Sequence, residues 1–202
     1  MQVFRVPLTE ADEAAIRDML LRGGIGIIPT DTVYGVVAAP GDSEALSRII
    51  AAKGRDPKKP NQLLCADIAA VEHCAGHELS EEEKKLAEAF WPGALTLVVR
   101  VPGALQGTEG FRVPADATAR TICRLAGGLL RCTSANRSGD PDTRTAEAAM
   151  AEIPGADFVV DGGACGIDSQ PSTVVRILDG GEIRIFREAA LSREQISAAL
   201  KA

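Results

Sequence analysis

Short β-branched runs alternate with capped amphipathic segments along this chain, and that alternation calls for an α/β architecture: a twisted, mixed β-sheet flanked by helices. Strand candidates fall at 3–7, at the run ending on Ile27-Ile28, and at 36–39, 62–66, 95–101, 111–114, 129–133 and 158–161. A hairpin of 174–178 with 182–187 turns through Asp179-Gly180-Gly181. Helix starts are marked by capping chemistry. Thr9 with Asp12, and Ser80 with Glu83, have capping-box spacing, and the first of these helices stops at Gly23-Gly24. Asp42 or Ser43 caps 44–53, Thr145 caps 146–152, and Ser192 starts 193–200; 68–74 and 117–126 are also helical. The 202 residues are expected to form one domain, 1–202.

Two loops that end strands concentrate hydroxyls. In the first, Pro29 stops the β-branched run and Thr30, Asp31, Thr32, Val33 and Tyr34 follow. If this segment is extended, Thr30, Thr32 and Tyr34 share one face and Asp31 braces from behind. A polar turn whose hydroxyls satisfy its own backbone is the competing reading. The second loop is Ser134-Ala135-Asn136-Arg137-Ser138-Gly139. Between the two lies a stiff basic segment, 53–60, in which Lys53, Arg55, Lys58 and Lys59 place four cations within seven residues. The helix dipole accounts for Lys53 and Arg55 but not for Lys58 and Lys59. Cations held near hydroxyls suit a phosphate-bearing ligand, and a solvated basic loop is the alternative.

That local charge matters because the whole is acidic, with a net charge of −6 and a pI near 5.1, so the molecule at large does not attract polyanions. Aromatics are only 3%, which argues against the stacking surfaces of single-strand binders and leaves the core to Ala, Val, Ile and Leu. Residues 1–20 lack the pattern of a secretory signal and no apolar run approaches bilayer length, so the expectation is a cytoplasmic protein with no membrane partner. Five cysteines without a C-x-x-C predict free thiols. His73 and His77 are four apart, but Gly76 interrupts them and no Glu follows His73, so no metal site is expected there. Neither a P-loop nor a Rossmann glycine pattern is present.

Six segments in order, Pro29-Thr30-Asp31-Thr32-Val33-Tyr34-Gly35, Lys53-Gly54-Arg55 with Lys59-Pro60, Trp91-Pro92-Gly93-Ala94-Leu95-Thr96, Arg112-Val113-Pro114, Ser134-Ala135-Asn136-Arg137-Ser138-Gly139 and Ser172-Thr173-Val174-Val175, together resemble the YrdC family in its short, single-domain form. The resemblance implies threonylcarbamoyl-AMP synthase activity, a nucleotidyl transfer in which L-threonine, bicarbonate or CO2, and ATP give threonylcarbamoyl-adenylate and pyrophosphate for N6-threonylcarbamoyladenosine in tRNA. It implies catalytic roles for Lys53, Arg55, Ser134 and Asn136, the K-x-R and S-x-N signature. It puts threonine and bicarbonate at Thr32, Tyr34, Arg112 and Ser172, and ATP at Arg55, Lys59, Thr108, Ser134, Asn136 and Arg187. Mg2+ is expected with the ATP, and no side chains are assigned to it. Downstream tRNA-modification proteins are the implied partners, with weak tRNA or double-stranded RNA contact. Leu64, Lys59, Asp116 and Phe186-Arg187-Glu188-Ala189 depart from the family pattern. They leave open a YciO-like paralogue, and a double-stranded RNA-binding module remains a reading from a different class.

Overall fold

The structure, a computed structural model, describes residues 1–57, 59, 61–104, 106–165 and 170–201. In chain order the elements are β1 (Gln2–Arg5), α1 (Glu10–Leu21), β2 (Gly26–Ile28), β3 (Gly35–Ala38), α2 (Ser43–Lys53), β4 (Gln62–Cys65), α3 (Ile68–Ala75), α4 (Glu81–Phe90), β5 (Leu95–Arg100), β6 (Thr108–Arg112), α5 (Ala117–Leu125), β7 (Leu129–Ser134), α6 (Ala146–Glu152), β8 (Phe158–Asp161), β9 (Thr173–Ile177), β10 (Ile183–Arg187) and α7 (Arg193–Lys201). The strands join in one mixed sheet of order β1-β8-β2-β3-β7-β4-β6-β5-β9-β10. Parallel pairs (β1 with β8, β2 with β8, β4 with β6, β5 with β9) occur together with antiparallel ones (β2 with β3, β3 with β7, β4 with β7, β5 with β6, β9 with β10). The expected mixed α/β fold is therefore what the chain adopts.

The helices begin where their side chains can serve free backbone donors. Thr9 with Asp12 and Ser80 with Glu83 both close reciprocal capping boxes, and Asp42, not Ser43, caps α2. Gly54 ends α2 in the left-handed region at φ 57°, where a Cβ would be strained.

Packing then divides the sheet into two halves. Near β2, β3 and β8 both faces are covered. Ile28, Val37, Phe158 and Val160 meet the apolar faces of α1 and α5 on one side, while Ile27, Val36, Ala38 and Val159 meet Ile49 of α2, Ala149 of α6 and Ile153 at the end of α6 on the other. Burial on both faces explains why these strands are continuously apolar. In β5, by contrast, Leu95, Leu97 and Val99 enter a core cluster with α4 and α7, whereas Thr96 and Val98 line a cavity on the opposite face. The period of two thus marks which part of the sheet stays open.

One strand boundary needs correction and one open alternative is decided. The strand expected at 111–114 begins earlier and ends at Arg112: β6 reaches back to Thr108, because Arg100 pairs with Thr108 and Val98 with Gly110 across the ladder to β5. Long-range pairing here overrides the weak strand propensity of glycine. Of the two readings of 30–34, the structure shows the polar turn and not the extended stretch. Thr30 Oγ1 donates to the Val33 carbonyl at 2.7 Å and accepts from the Thr32 amide at 3.1 Å, which bends the chain and breaks the alternation expected of Thr30, Thr32 and Tyr34.

Candidate active site

The open face of the sheet forms a cavity of about 490 Å³. Of the residues singled out from sequence, Thr32, Arg55, Thr108, Arg112, Ser134, Ser172 and Arg187 line it. They come from six different segments of the chain, and the sheet order brings them together.

The Thr30–Thr32 bend is held by Arg112 at the end of β6. Its Nη1 donates to Thr32 Oγ1 at 2.7 Å, its Nη2 to Asp31 Oδ1 at 2.7 Å, and its Nε to the Gly93 carbonyl at 3.0 Å. Asp31 also accepts from the Ala115 amide at 3.0 Å, so the bend is tied to the β6–α5 connection. Arg112 is 2% exposed, and its ion pair with Asp31 offsets the cost of burying the guanidinium. Opposite, Arg187 donates through Nε to the Ser172 carbonyl at 2.9 Å and through Nη2 to Ser172 Oγ at 3.1 Å. Ser172 Oγ lies 2.7 Å from Thr96 Oγ1, which donates to Gln62 Oε1 at 2.7 Å. A polar relay therefore crosses the cavity floor from β10 to β4.

Lys53 and Arg55 take different positions although only two residues apart. Arg55, past the end of α2, lines the cavity. Lys53 is 2% exposed and donates to the carbonyls of Ser134 and Asn136 and, at 3.3 Å, to Asn136 Oδ1. Asn136 in turn donates through Nδ2 to the Asp140 carbonyl at 2.6 Å. Lys53 and Asn136 thus do not face the cavity; they clamp the loop that presents Ser134. Burial, and secondarily the charge of Arg55, pushes the Lys53 amine down to about 8. Burial likewise lowers the Arg55 guanidinium from its usual range.

Other expected residues fall outside the cavity lining. Tyr34 is fully buried beside α2 and α6, and its hydroxyl donates to the Gly163 carbonyl at 2.7 Å and accepts from the Gly162 amide at 3.1 Å. Burial raises that phenol to about 12. The bend at Thr30–Val33 turns Tyr34 to the opposite side from Thr32, which sequence parity could not reveal. Lys59 is exposed, with its amide bonded to the Asp56 carbonyl at 3.0 Å. Lys58 and Pro60 of the basic segment lie outside the described residues.

Sequence reasoning missed Thr96, Gln62, Glu109, Asp142, Arg176, Arg184 and Phe186, all of which line the cavity. Polar Thr96 between Leu95 and Leu97 was the available signal, but it acquires meaning only once the open face is known. Glu109 is held bidentately by Arg131, at 2.6 and 2.8 Å. Among the described residues no group of three or more His, Cys, Asp or Glu could hold a metal ion. The ring of His77 instead lies 2.7 Å from the Glu78 carbonyl and 2.8 Å from that of Arg100.

Cations facing hydroxyls on an open sheet face can neutralise a polyphosphate and orient small polar substrates. Comparison with known proteins agrees with that chemistry. The family model for Sua5, YciO and YrdC proteins, described as "Telomere recombination", matches residues 18–189. The threonylcarbamoyl-AMP synthase of Bacillus subtilis is 33% identical over 192 residues, covering 90% of this chain and 54% of that protein. The threonylcarbamoyl-AMP synthase of Thiobacillus denitrificans is 34% identical over 182 residues, covering 87% of this chain and 96% of that one. A crystal structure of Pyrococcus abyssi Sua5 complexed with L-threonine superposes with a TM-score of 0.86 at 30% identity, over 98% of this chain and 60% of the archaeal one. This chain therefore spans about half of the Bacillus relative, 54%, and nearly all of the Thiobacillus one, 96%.

Proposed function

The chain belongs to the Sua5/YciO/YrdC family, and from that premise we propose that it is a threonylcarbamoyl-AMP synthase, converting L-threonine, bicarbonate or CO2, and ATP into threonylcarbamoyl-adenylate and pyrophosphate. The observation that carries the reading is the convergence of Arg55, Arg112 and Arg187 with the hydroxyls of Thr32, Thr96, Thr108, Ser134 and Ser172 on one cavity, in a chain whose net charge is −6. Such a site favours a small polyanion over an extended one.

The amine of threonine adds to CO2 and loses a proton, giving a carbamate. A carbamate oxygen then attacks the α-phosphorus in line, the bond to the β-phosphate oxygen breaks, and pyrophosphate leaves. No protein nucleophile is required. Thr32, held by Arg112, and Ser172, held by Arg187, orient the threonine, while the positive field of Arg112 favours its carboxylate. Arg55, Ser134 and Thr108 receive the nucleotide, with Arg187 at the other wall. Lys53 and Asn136 act indirectly, by fixing the Ser134 loop. Mg2+ would arrive carried on the triphosphate and would neutralise charge on the departing pyrophosphate, with no side chains assigned to it. The product is handed to proteins that modify tRNA adenosine. The continuity of the ten-stranded sheet supports 1–202 as one domain.

Pyrophosphate release from ATP is expected to require both threonine and bicarbonate. Release indifferent to threonine would sink the reading and favour a YciO-like paralogue. Salt-steep RNA retention on a filter without ATP turnover would instead indicate an RNA-binding module.

A further inference from the structure

On the cavity floor the Thr96 hydroxyl of β5 bonds to Gln62 of β4, although β6 lies between those two strands in the sheet. Gly110 of β6 is what lets them meet. It is not at positive φ, so its backbone does not require glycine, but a Cβ there would stand 3.3 Å from Thr96 Cγ2 and 3.8 Å from Gln62 Cβ. Glycine inside a strand with ordinary backbone geometry marks a close approach, and here the side chains of the two flanking strands close over it.

The relay that starts at Gln62 has a direction. Thr96 and Ser172 are both buried, and each hydroxyl carries a single proton. Thr96 Oγ1 gives its proton to Gln62 Oε1 at 2.7 Å, so the 2.7 Å contact between Thr96 and Ser172 is filled by the Ser172 proton. Ser172 Oγ also accepts from Arg187 Nη2 at 3.1 Å. With its proton committed and one of its two lone pairs taken, Ser172 can accept a hydrogen bond from a ligand in the cavity and cannot donate one.

We infer that Gln62 is a positioning residue which, through Thr96, holds Ser172 as a hydrogen-bond acceptor for the amine of the amino-acid substrate. This role rests on the synthase reading above and adds to it a residue that none of the six recognised segments contains. The amine is the donor that fits, because Arg112 serves the carboxylate while Arg187 ties Ser172 to the nucleotide wall, toward which the reacting nitrogen must face. An N–H held by Ser172 fixes the direction of the nitrogen lone pair that adds to CO2, so the polarity set at Gln62 is felt at the reacting atom.

Calorimetric titration with L-threonine, and separately with ATP, tests the relay. Gln62→Met keeps the length of the side chain but removes the acceptor, which frees the Thr96 proton for Ser172; threonine is expected to bind about fivefold more weakly, with ATP unchanged. Gln62→Glu, whose carboxylate accepts and does not donate, should bind threonine like the parent. In a Ser172→Ala background Gln62→Met should add no further loss, since Gln62 acts through Ser172. Unchanged threonine affinity in Gln62→Met, equal weakening of ATP, or an additive loss in the double variant would overturn the role. So would a loss of threonine binding in Gln62→Glu, which would mean that the relay runs the other way, with the Gln62 amide nitrogen donating. Threonine-dependent pyrophosphate release by the unmodified protein is measured beside these titrations. If release ignores threonine while the selective loss in Gln62→Met persists, the synthase reading falls and the positioning role stands. If release requires threonine and the variants bind it like the parent, the role falls and the reading stands.

Discussion

Lys53 and Arg55 show how two neighbouring cations of one motif come to do different work. Lys53 serves three oxygen acceptors of the Ser134–Asn136 loop, which only the ammonium form, with three N–H donors, can satisfy together. Its amine is pushed down to about 8, so it loses its proton as pH rises through that value. Turnover is therefore expected to fall on the alkaline side with an apparent pKa of about 8, and Lys53→Arg should move that limb to higher pH in a pH–rate profile. The effect on stability has the opposite sense. The folded state gives up the proton before an unfolded chain with pKa 10.5 does, so burial of this charge opposes folding below about pH 8 and the opposition fades between 8 and 10.5. Arg55 instead faces the cavity and repels Lys53. Arg55→Ala should leave the melting temperature of the free protein equal or higher, lower turnover at least about tenfold, roughly 1.4 kcal/mol, and weaken the thermal shift given by ATP. Normal turnover with a lowered melting temperature would assign Arg55 to the helix dipole alone.

Among the elements, helix α1 and the connection from α3 to α4 stabilise the fold without touching the cavity. Thr9 accepts from the Asp12 amide at 3.2 Å while the Asp12 carboxylate accepts from the Thr9 amide at 3.0 Å. Thr9→Ala should cost about 1 kcal/mol in urea unfolding and leave turnover intact. His77 pins the α3–α4 connection to the end of β5 through the carbonyls of Glu78 and Arg100, both acceptors, so the imidazolium is the form that satisfies both. These two bonds, that to Glu78 first, raise the imidazole above its ordinary 6.5. The stabilisation is fully present below pH 6.5 and is lost as pH rises through the higher folded value. His77→Ala should flatten the stability profile across that window, as read by denaturant midpoints at successive pH values. A slope unchanged by the substitution would remove His77 from the account.

For the whole molecule, burial decides the state of the thiols and the position of the site. Cys65, Cys123 and Cys132 are buried and Cys74 and Cys165 partly so, all five are free, and burial raises every one of these thiols. Alkylation of the native protein, followed by mass, is expected to modify Cys74 and Cys165 first and the other three only on unfolding. Prior modification of Cys132 in the native state would contradict the packing described. Sequence alone determined nearly every helix and strand, because apolar period, capping residues and glycine stops act over a few residues. It also pointed to the kinds of groups that line the cavity, since Thr32, Arg55, Arg112, Ser134 and Ser172 stand in recognisable strings, while Arg187 stands in one that departs from the family pattern. Which of them meet was decided by strand order: Arg112 reaches Thr32 across 80 positions of chain, and Ser172 reaches Thr96 across 76. Tyr34 left the hydroxyl set and Lys53 became a loop clamp because one bend and one buried helix end set their directions. Such directions depend on non-local pairing and packing, whereas a linear pattern records only the spacing of neighbours.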